Sequence, residues 1–335
     1  MSAQAASQNK QVEFQNKALE LDLTHPPVSL WRDAWQRLLR NRLAMVGGIF
    51  IIIITAAAIF ADDGIIAWVF KREPQQLLAP YNYEEPDFQN TRAKPSLQRT
   101  EAGRFPHIFG TDRFGRDVFS RIIYGGRISL AVGVISALVI MIFGLAFGSV
   151  SGYLGGRVDT LMMRFVDIMY AFPTLLFIIL IMVILGSTAG YAAVRNLVLS
   201  IGLVSWMGTA RLVRGQFLAI KEREFVVAAR MIGARDLDII VRHLLPNSMG
   251  PIIISITLAI PGLIMFEATL SFIGLGVPPP FPSWGQMLSE GWRAMQSNPH
   301  LIIFPALILS LIMLTFNFLG DGLRDALDPQ MRGTT

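Results

Sequence analysis

The chain has no cysteine among its 335 residues. That excludes a disulfide, a thiol nucleophile and a thiolate metal site. Charge is scarce as well: 16% of the residues are Asp, Glu, Lys or Arg, against about 25% in soluble domains. The four histidines (His25, His107, His243, His300) are scattered and no His-Glu-x-x-His occurs, so no zinc site and no other cofactor is expected. Gly-x-Ser-x-Gly is missing too, which removes the usual hydrolase nucleophile. No Gly-Lys dipeptide is present. A Walker A loop is therefore excluded, and the chain cannot drive any process by its own nucleotide hydrolysis. An enzyme is not expected.

Apolar residues, by contrast, are abundant: 53% of the total, with a mean hydropathy of +0.49. That composition reads as an all-α, polytopic membrane protein. The first apolar run begins after about forty polar residues and exceeds a signal-peptide h-region, so no cleavable signal is expected.

Residues 1–28 are polar and without periodicity, and read as a disordered tail. In residues 29–42, Leu30, Trp31, Ala34, Trp35, Leu38 and Leu39 share one helical face. That is the pattern of an amphipathic interfacial helix. Residues 43–61 read as the first span: the run from Leu43 to Ala61 is uncharged and long enough to cross about 30 Å of hydrocarbon. A long loop, 62–127, comes next. It ends in a predicted second surface helix, with Val118, Phe119, Ile122 and Ile123 on one face, broken at Gly125-Gly126. Its Gly-Thr-Asp-Arg-Phe-Gly segment is preceded by no strand and is a weak candidate for a phosphate cradle.

The transmembrane core is expected over 128–320. Ile128–Val150 is the second span, with Gly133-x3-Ala137 and Gly144-x3-Gly148 set for close helix packing. A turn covers 151–164. The third span, 168–185, is kinked by Pro173, and the fourth, 191–210, carries Arg195 near one end. The fifth, Met249–Ile273, contains the acid Glu267, and 277–295 is too short and polar to cross. Leu301–Leu319 is the sixth, and 321–335 forms a second tail. Arg164 and Asp167 are three apart and set to pair on one helix face.

Six spans place both termini on one side. With that side inside, the inner segments hold seventeen lysines and arginines and the two short outer loops hold two. This is a positive-inside signal. Loop 62–127 carries ten more, but loops of that length cross largely regardless of charge. Arg121 and Arg127, close to the second span, go against the rule.

The stretch around which the rest is arranged is the inner loop 211–247. It contains Glu224, Ala228, Ala229, Gly233, Asp236, His243 and the Leu245-Pro246 pair. Small residues let another surface approach a helix backbone, glycine ends or bends the helix, and Pro246 is expected to act as a helix stop. Arg230, Arg235, Asp236 and Arg242 either frame an interface or form a solvated face. The spacing Ala-Ala-x3-Gly-x11-Leu-Pro resembles the "EAA" loop by which membrane subunits of ABC importers dock on their ATPase. Further stretches extend the likeness: FGTDRFGRDVFSRIIYGGRISLAVG (109–133), SGYLGGRVDTLMMR (151–164), FEATLSFIGLG (266–276), PSWGQML (282–288) and FNFLGDGLRDALDP (316–329). Together they resemble the C-type permease of oligopeptide and dipeptide ABC importers, closest to the oligopeptide branch.

The resemblance implies a subunit of the bacterial inner membrane with cytoplasmic termini. It also implies a B-type permease as heterodimer partner, two cytoplasmic ATP-binding subunits, an extracytoplasmic peptide-binding protein, and peptide as cargo. Glu224, Ala228, Ala229, Gly233, Asp236, His243 and Pro246 would form the docking loop. The departures are a longer outer loop around residues 71–104 and Val227, which stands where the family has a glutamate; Glu224, three residues earlier on the same face, could supply a displaced carboxylate. Glu267 has two readings, a group facing the translocation path or a structural hydrogen-bonding acid. Two other functions are open: a proton-coupled peptide or nutrient symporter with Glu267 and Asp167 as carriers, or a permease of the same family for nickel or other small cargo.

Overall fold

The computed structural model describes residues 30–62, 75–100, 103–186 and 190–328. The expected tail 1–28, parts of loop 62–127 and residues 329–335 of the tail 321–335 lie outside the described residues. Among the described residues the protein is all-helical; pairing of the β type is limited to the isolated bridges Asp62–Gln76 and Thr111–Asp117.

Helix α1 (Leu30–Arg40) starts with Asp33 in its first turn and ends with Arg37 and Arg40, charges that oppose the helix dipole at each end. It is more than an interfacial helix. Ala34 and Leu38 are buried against Leu323, Ala326 and Leu327 of the last helix, while Trp35 and Leu39 stay exposed. Asn41 then caps α2 (Arg42–Ile59), its side chain accepting from the Ala44 amide at 3.2 Å.

The central element is α3 (Val118–Leu154), a single helix of 37 residues. The surface helix and the break at Gly125-Gly126 do not exist. Two glycines cost a helix about 1 kcal/mol each, but here they make room for a tryptophan. A Cβ at Gly126 would sit 3.2 Å from Trp284 Cζ2, and one at Gly125 would sit 3.4 Å from Trp284 Cδ1. The indole donates to the Ile122 carbonyl at 3.0 Å.

The expected turn 151–164 is instead helix α4 (Gly156–Tyr170), and α5 (Thr174–Leu185) departs from it at a 91° bend. Pro173 disfavours helical backbone at the residue before it, so the third span is broken rather than kinked. Twelve residues of α5 reach only about 18 Å. Helices α6 (Tyr191–Ser205) and α7 (Met207–Ile220) meet at 46°. The fourth span therefore runs past its expected end at Ala210, because α7 packs on α3. Cβ atoms at Gly144, Gly148 and Gly152 would lie 2.6 Å from Thr209 Cβ, 2.5 Å from the Ala210 oxygen and 2.7 Å from Phe217 Cβ. Lipid offers no hydrophobic drive for helix pairing, so this contact depends on backbone proximity.

After a short helix α8 (Glu224–Met231), the chain forms a helical turn (Asp236–Asp238) and a π-helical segment (Ile239–Leu244), then runs on into α9 (Leu245–Phe272). Pro246 does not stop the helix; it occupies the first turn of α9, where its missing N–H is not needed. The wide π turn just before it gives the ring space against the preceding carbonyls. Helix α10 (Trp284–Arg293) is the expected non-crossing segment. It is wedged among α3, α9 and α11 (His300–Leu327), with Trp284 fully buried. Among the described residues four helices are long and apolar enough to cross a membrane, or six spans form if each bent pair is one.

Residues 75–100 and 103–117 form a cap at one end of the bundle; α8 sits at the other end, the loop end. In the cap, Asp112 accepts from the amides of Phe114 and Arg116 at 2.8 and 3.0 Å. Gly115 is at φ +77°, and a Cβ there would lie 1.8 Å from the Asp87 oxygen. The Gly-Thr-Asp-Arg-Phe-Gly segment is thus a tight turn. Asp117 caps α3, accepting from the Ser120 amide at 2.7 Å, and holds His107 Nδ1 at 2.9 Å. The two arginines that defied the charge rule are both paired. Arg127 Nη2 donates to Asp62 at 2.6 Å and to the Ile59 carbonyl at 3.0 Å, capping the end of α2. Arg121 donates to Asp112 and Glu290 at 2.5 and 2.7 Å.

The glycine face of α3 gives a direct test. Gly148→Val drives a branched side chain into the α7 backbone and should lower stability by about 1–3 kcal/mol, read as a lower unfolding temperature of the detergent-purified protein. Gly262→Val in α9 is the control for helix propensity alone, since a Cβ at Gly262 meets open space. It should leave the unfolding temperature close to that of the parent.

Candidate functional site

The loop-end site is built on α8. Arg223 is extended at its N-cap and Glu224 opens the helix, a favourable place for an acid. Gly233 ends it at φ +83°. The Ala234 amide donates to the Ala229 oxygen at 3.1 Å and the Gly233 amide to the Arg230 oxygen at 3.0 Å, which is the Schellman closure of a helix. Gly233 is therefore there for its backbone angle; a Cβ would meet nothing within 4 Å.

The expected docking residues separate into two sets. Ala229 is buried, together with Val226, on the face that packs on the chain itself. Glu224, Val227 and Ala228 are exposed on the other face. Beside them are apolar residues that the small-residue pattern did not single out: Met231 and Ile232 are 83% and 87% exposed, and Leu237 is also exposed. Their place among Arg230, Arg235, Asp236 and Asp238 was the available signal. Asp236 is held by the Tyr153 hydroxyl at the end of α3, so it ties the loop down. His243 lies near the Phe225 ring, centroids 6.4 Å apart, and joins α8 to the π segment. Pro246 lines an open cavity of about 1010 Å³ together with Gln216, Asn247, Gly250 and Ser255.

Other polar contacts fasten the loop to α3. Lys221 Nζ donates to the Gly152 carbonyl at 3.1 Å. Asp159 of α4 accepts from Arg214 Nη2 of α7 at 2.6 Å and from the Ser151 hydroxyl at 2.5 Å. The pairing expected between Arg164 and Asp167 is replaced by one between Arg211 of α7 and Asp167, at 2.5 Å. The bend between α4 and α5 lays α4 alongside α7, which brings Arg211 within reach.

Glu267 is 0% exposed. Its carboxylate accepts from Ser129 Oγ of α3 at 2.8 Å and Ser271 Oγ of α9 at 2.7 Å. Ser129 Oγ in turn accepts from the Trp284 amide at 3.2 Å, and Ser283, which caps α10, donates to Ser271 Oγ at 3.3 Å. Through these bonds Glu267 knots three helices and is sealed among them. Asp167 is largely exposed. The two carboxylates do not form a proton path, which leaves the symporter without a basis.

Comparison with known proteins completes the site. A family model described as "Binding-protein-dependent transport system inner membrane component" matches residues 144–333. A second, "N-terminal TM domain of oligopeptide transport permease C", matches residues 29–95. The chain is 41% identical over 304 residues to the oligopeptide transport system permease protein OppC of Haemophilus influenzae, covering 91% of this chain and 90% of that one. It is 40% identical over 320 residues to the dipeptide transport system permease protein DppC of Bacillus subtilis, covering 95% and 92%. A glutathione transport system permease protein, GsiD of Escherichia coli, is 40% identical over 304 residues, covering 90% and 91%. Among solved structures, an inward-facing methionine ABC transporter, MetNI, matches with a TM-score of 0.50 and 20% identity, over 63% of this chain and 97% of that one.

The Glu267 knot generates a stability prediction. Glu267→Ala leaves two buried hydroxyls without their acceptor and should cost about 1–3 kcal/mol, seen as a lower unfolding temperature. Glu267→Gln keeps an acceptor oxygen and should cost less. A proton carrier would show the opposite order of importance: Glu267→Gln would be stable and dead for uptake.

Proposed function

Because the chain belongs to the binding-protein-dependent inner membrane components, and among them to the C-type permeases of peptide ABC importers, we propose that it forms half of a path for oligopeptides, completed by a B-type permease. An extracytoplasmic binding protein delivers the peptide, and two cytoplasmic ATPase subunits supply the work. In this reading both termini and α8 are cytoplasmic, the bent helix pairs each make one span, and the protein lies in a bacterial inner membrane. The observation that carries the reading is the outward face of α8. Met231 and Ile232 project from an arginine-rich loop, and an apolar patch rimmed by charge is the mark of a protein contact.

In this reading the ATPase seats on Val227, Ala228, Met231 and Ile232, with Glu224 offering the carboxylate that Val227 lacks. Ala229 and Gly233 shape the helix without touching the partner. Movement of the ATPases reaches the membrane through the Lys221–Gly152 and Tyr153–Asp236 contacts and through α9. The cavity beside Pro246 is this chain's wall of the path, and Gln216, Asn247 and Ser255 give it hydrogen-bonding groups suited to a peptide backbone.

Two experiments test this. Orientation is read by single cysteines, free of background in a chain that has none. An impermeant thiol reagent added outside intact cells should label Gln89→Cys and not Ile232→Cys; both sites are exposed, whereas Ser248 is buried and would stay unlabelled on either side. The reverse pattern overturns the orientation. Docking is read by peptide-stimulated ATP hydrolysis of the assembled transporter. Met231→Asp with Ile232→Asp should lower it at least about tenfold, in line with loss of a hot spot, without reducing the permease in the membrane. Glu224→Ala should reduce coupling and Val227→Glu should restore much of it. A Glu224→Ala variant equal to the parent removes the carboxylate from the interface.

A further inference from the structure

At the cap end, above the tips of α3, α10 and α11, lies a cavity of about 120 Å³ whose lining includes Arg92, Asp112, Arg113, Arg121, Glu290 and Arg293. Four arginines meet two carboxylates there, and both carboxylates are engaged. Asp112 accepts from Arg116 Nε at 2.7 Å, from Arg121 Nη1 at 2.5 Å and from two backbone amides. Glu290 accepts from Arg121 Nη1 at 2.7 Å. The Arg121 side chain is 1% exposed, and its Nε–H has no hydrogen-bond partner. A buried donor without an acceptor is unfavourable, more so on a charged group. Burial and the nearby charge of Arg121 push the Arg116 guanidinium below its ordinary value, as expected where positive charge is crowded. Arg92, Arg113 and Arg293 stand exposed at the mouth. Among the described residues no acid pairs with any of the three. The cavity is short of anionic partners.

Its height identifies what kind of anion can arrive. The apolar run of α3 begins at Ile128, and Arg121 lies seven residues earlier, about 10 Å further along the axis. The headgroup layer adds only roughly 5–7 Å beyond the hydrocarbon of one leaflet. The mouth therefore opens above the lipid phosphates, towards the solution. A volume of about 120 Å³ admits one acidic side chain, and a guanidinium fork matches a carboxylate.

We propose that this cavity is a socket for a carboxylate side chain, an Asp or Glu on the extracytoplasmic binding protein, which docks between Arg113 and Arg293 over Arg121. The socket rests on the reading of this chain as a binding-protein-dependent permease, and it supplies that reading with a contact on the outer face. It also explains the arginine excess of the cap, which the fold itself does not need: Arg113 and Arg293 can be removed from the structure without breaking an ion pair.

The test uses the complete transporter in lipid nanodiscs, titrated with its peptide-loaded binding protein, with ATP hydrolysis as readout. Arg113→Glu with Arg293→Glu should raise the half-saturating concentration of binding protein about tenfold or more, as loss and reversal of close charge pairs does at other interfaces. The shift should be equal in phosphatidylcholine discs and in discs containing anionic lipid. Arg113→Lys with Arg293→Lys should recover most of the affinity. Added salt should weaken the parent more than the glutamate variant. A parent that responds to the binding protein, with a glutamate variant that titrates identically, overturns the socket and leaves the transport reading standing. A shift confined to anionic discs assigns the arginines to lipid headgroups and also overturns it. A parent whose hydrolysis ignores the binding protein overturns the transport reading and the socket together.

Discussion

Helices in a bilayer have no hydrophobic reason to prefer one another over lipid, so this fold depends on how closely backbones approach α3. The glycines along α3 fix that distance at several heights. Gly126 faces Trp284, Gly133 faces Ile264, and Gly144, Gly148 and Gly152 face α7. Each contact is set by backbone or by a stiff side chain. Together they hold α7, α9 and α10 around one axis. The charged loop at one end and the arginine-lined cap at the other are both fastened to the same helix, through Gly152 and Tyr153 at the first and Asp117 and Arg121 at the second.

Most of this was legible where a single residue type carries the meaning. Gly144-x3-Gly148 announced close packing, and packing is what it does. The apolar runs announced membrane helices, and the loop spacing together with the longer stretches announced the family. The parts that were not legible depended on partners distant in sequence. Gly125-Gly126 reads as a break until Trp284, about 160 residues later, is placed against it. Arg121 and Arg127 read as errors of topology until Glu290 and Asp62 neutralise them. Arg164 and Asp167 have the right spacing for a pair, yet Arg211 takes the carboxylate.

The candidate site shows the same division. The location of the loop could be read from Ala228, Ala229 and Gly233, but their roles could not. Exposure separates Ala228 from Ala229, and a positive φ, not closeness, accounts for Gly233. Glu267 carried two readings because a lone acid in an apolar run is ambiguous by itself. The three serines that surround it, Ser129, Ser271 and Ser283, come from three separate elements, and no spacing in the sequence brings them together.

The unbroken course from the loop into α9 has a mechanical meaning. Asp236 to Phe272 is one run of 37 residues, about 55 Å end to end. The same run is gripped at three heights, where Leu258 meets Gly320 of α11, Ile264 meets Gly133 of α3 and Ala268 meets Gly285 of α10. The loop segment from Asp236 and the buried knot at Glu267 are thus two ends of one continuous piece of backbone, joined without an intervening turn.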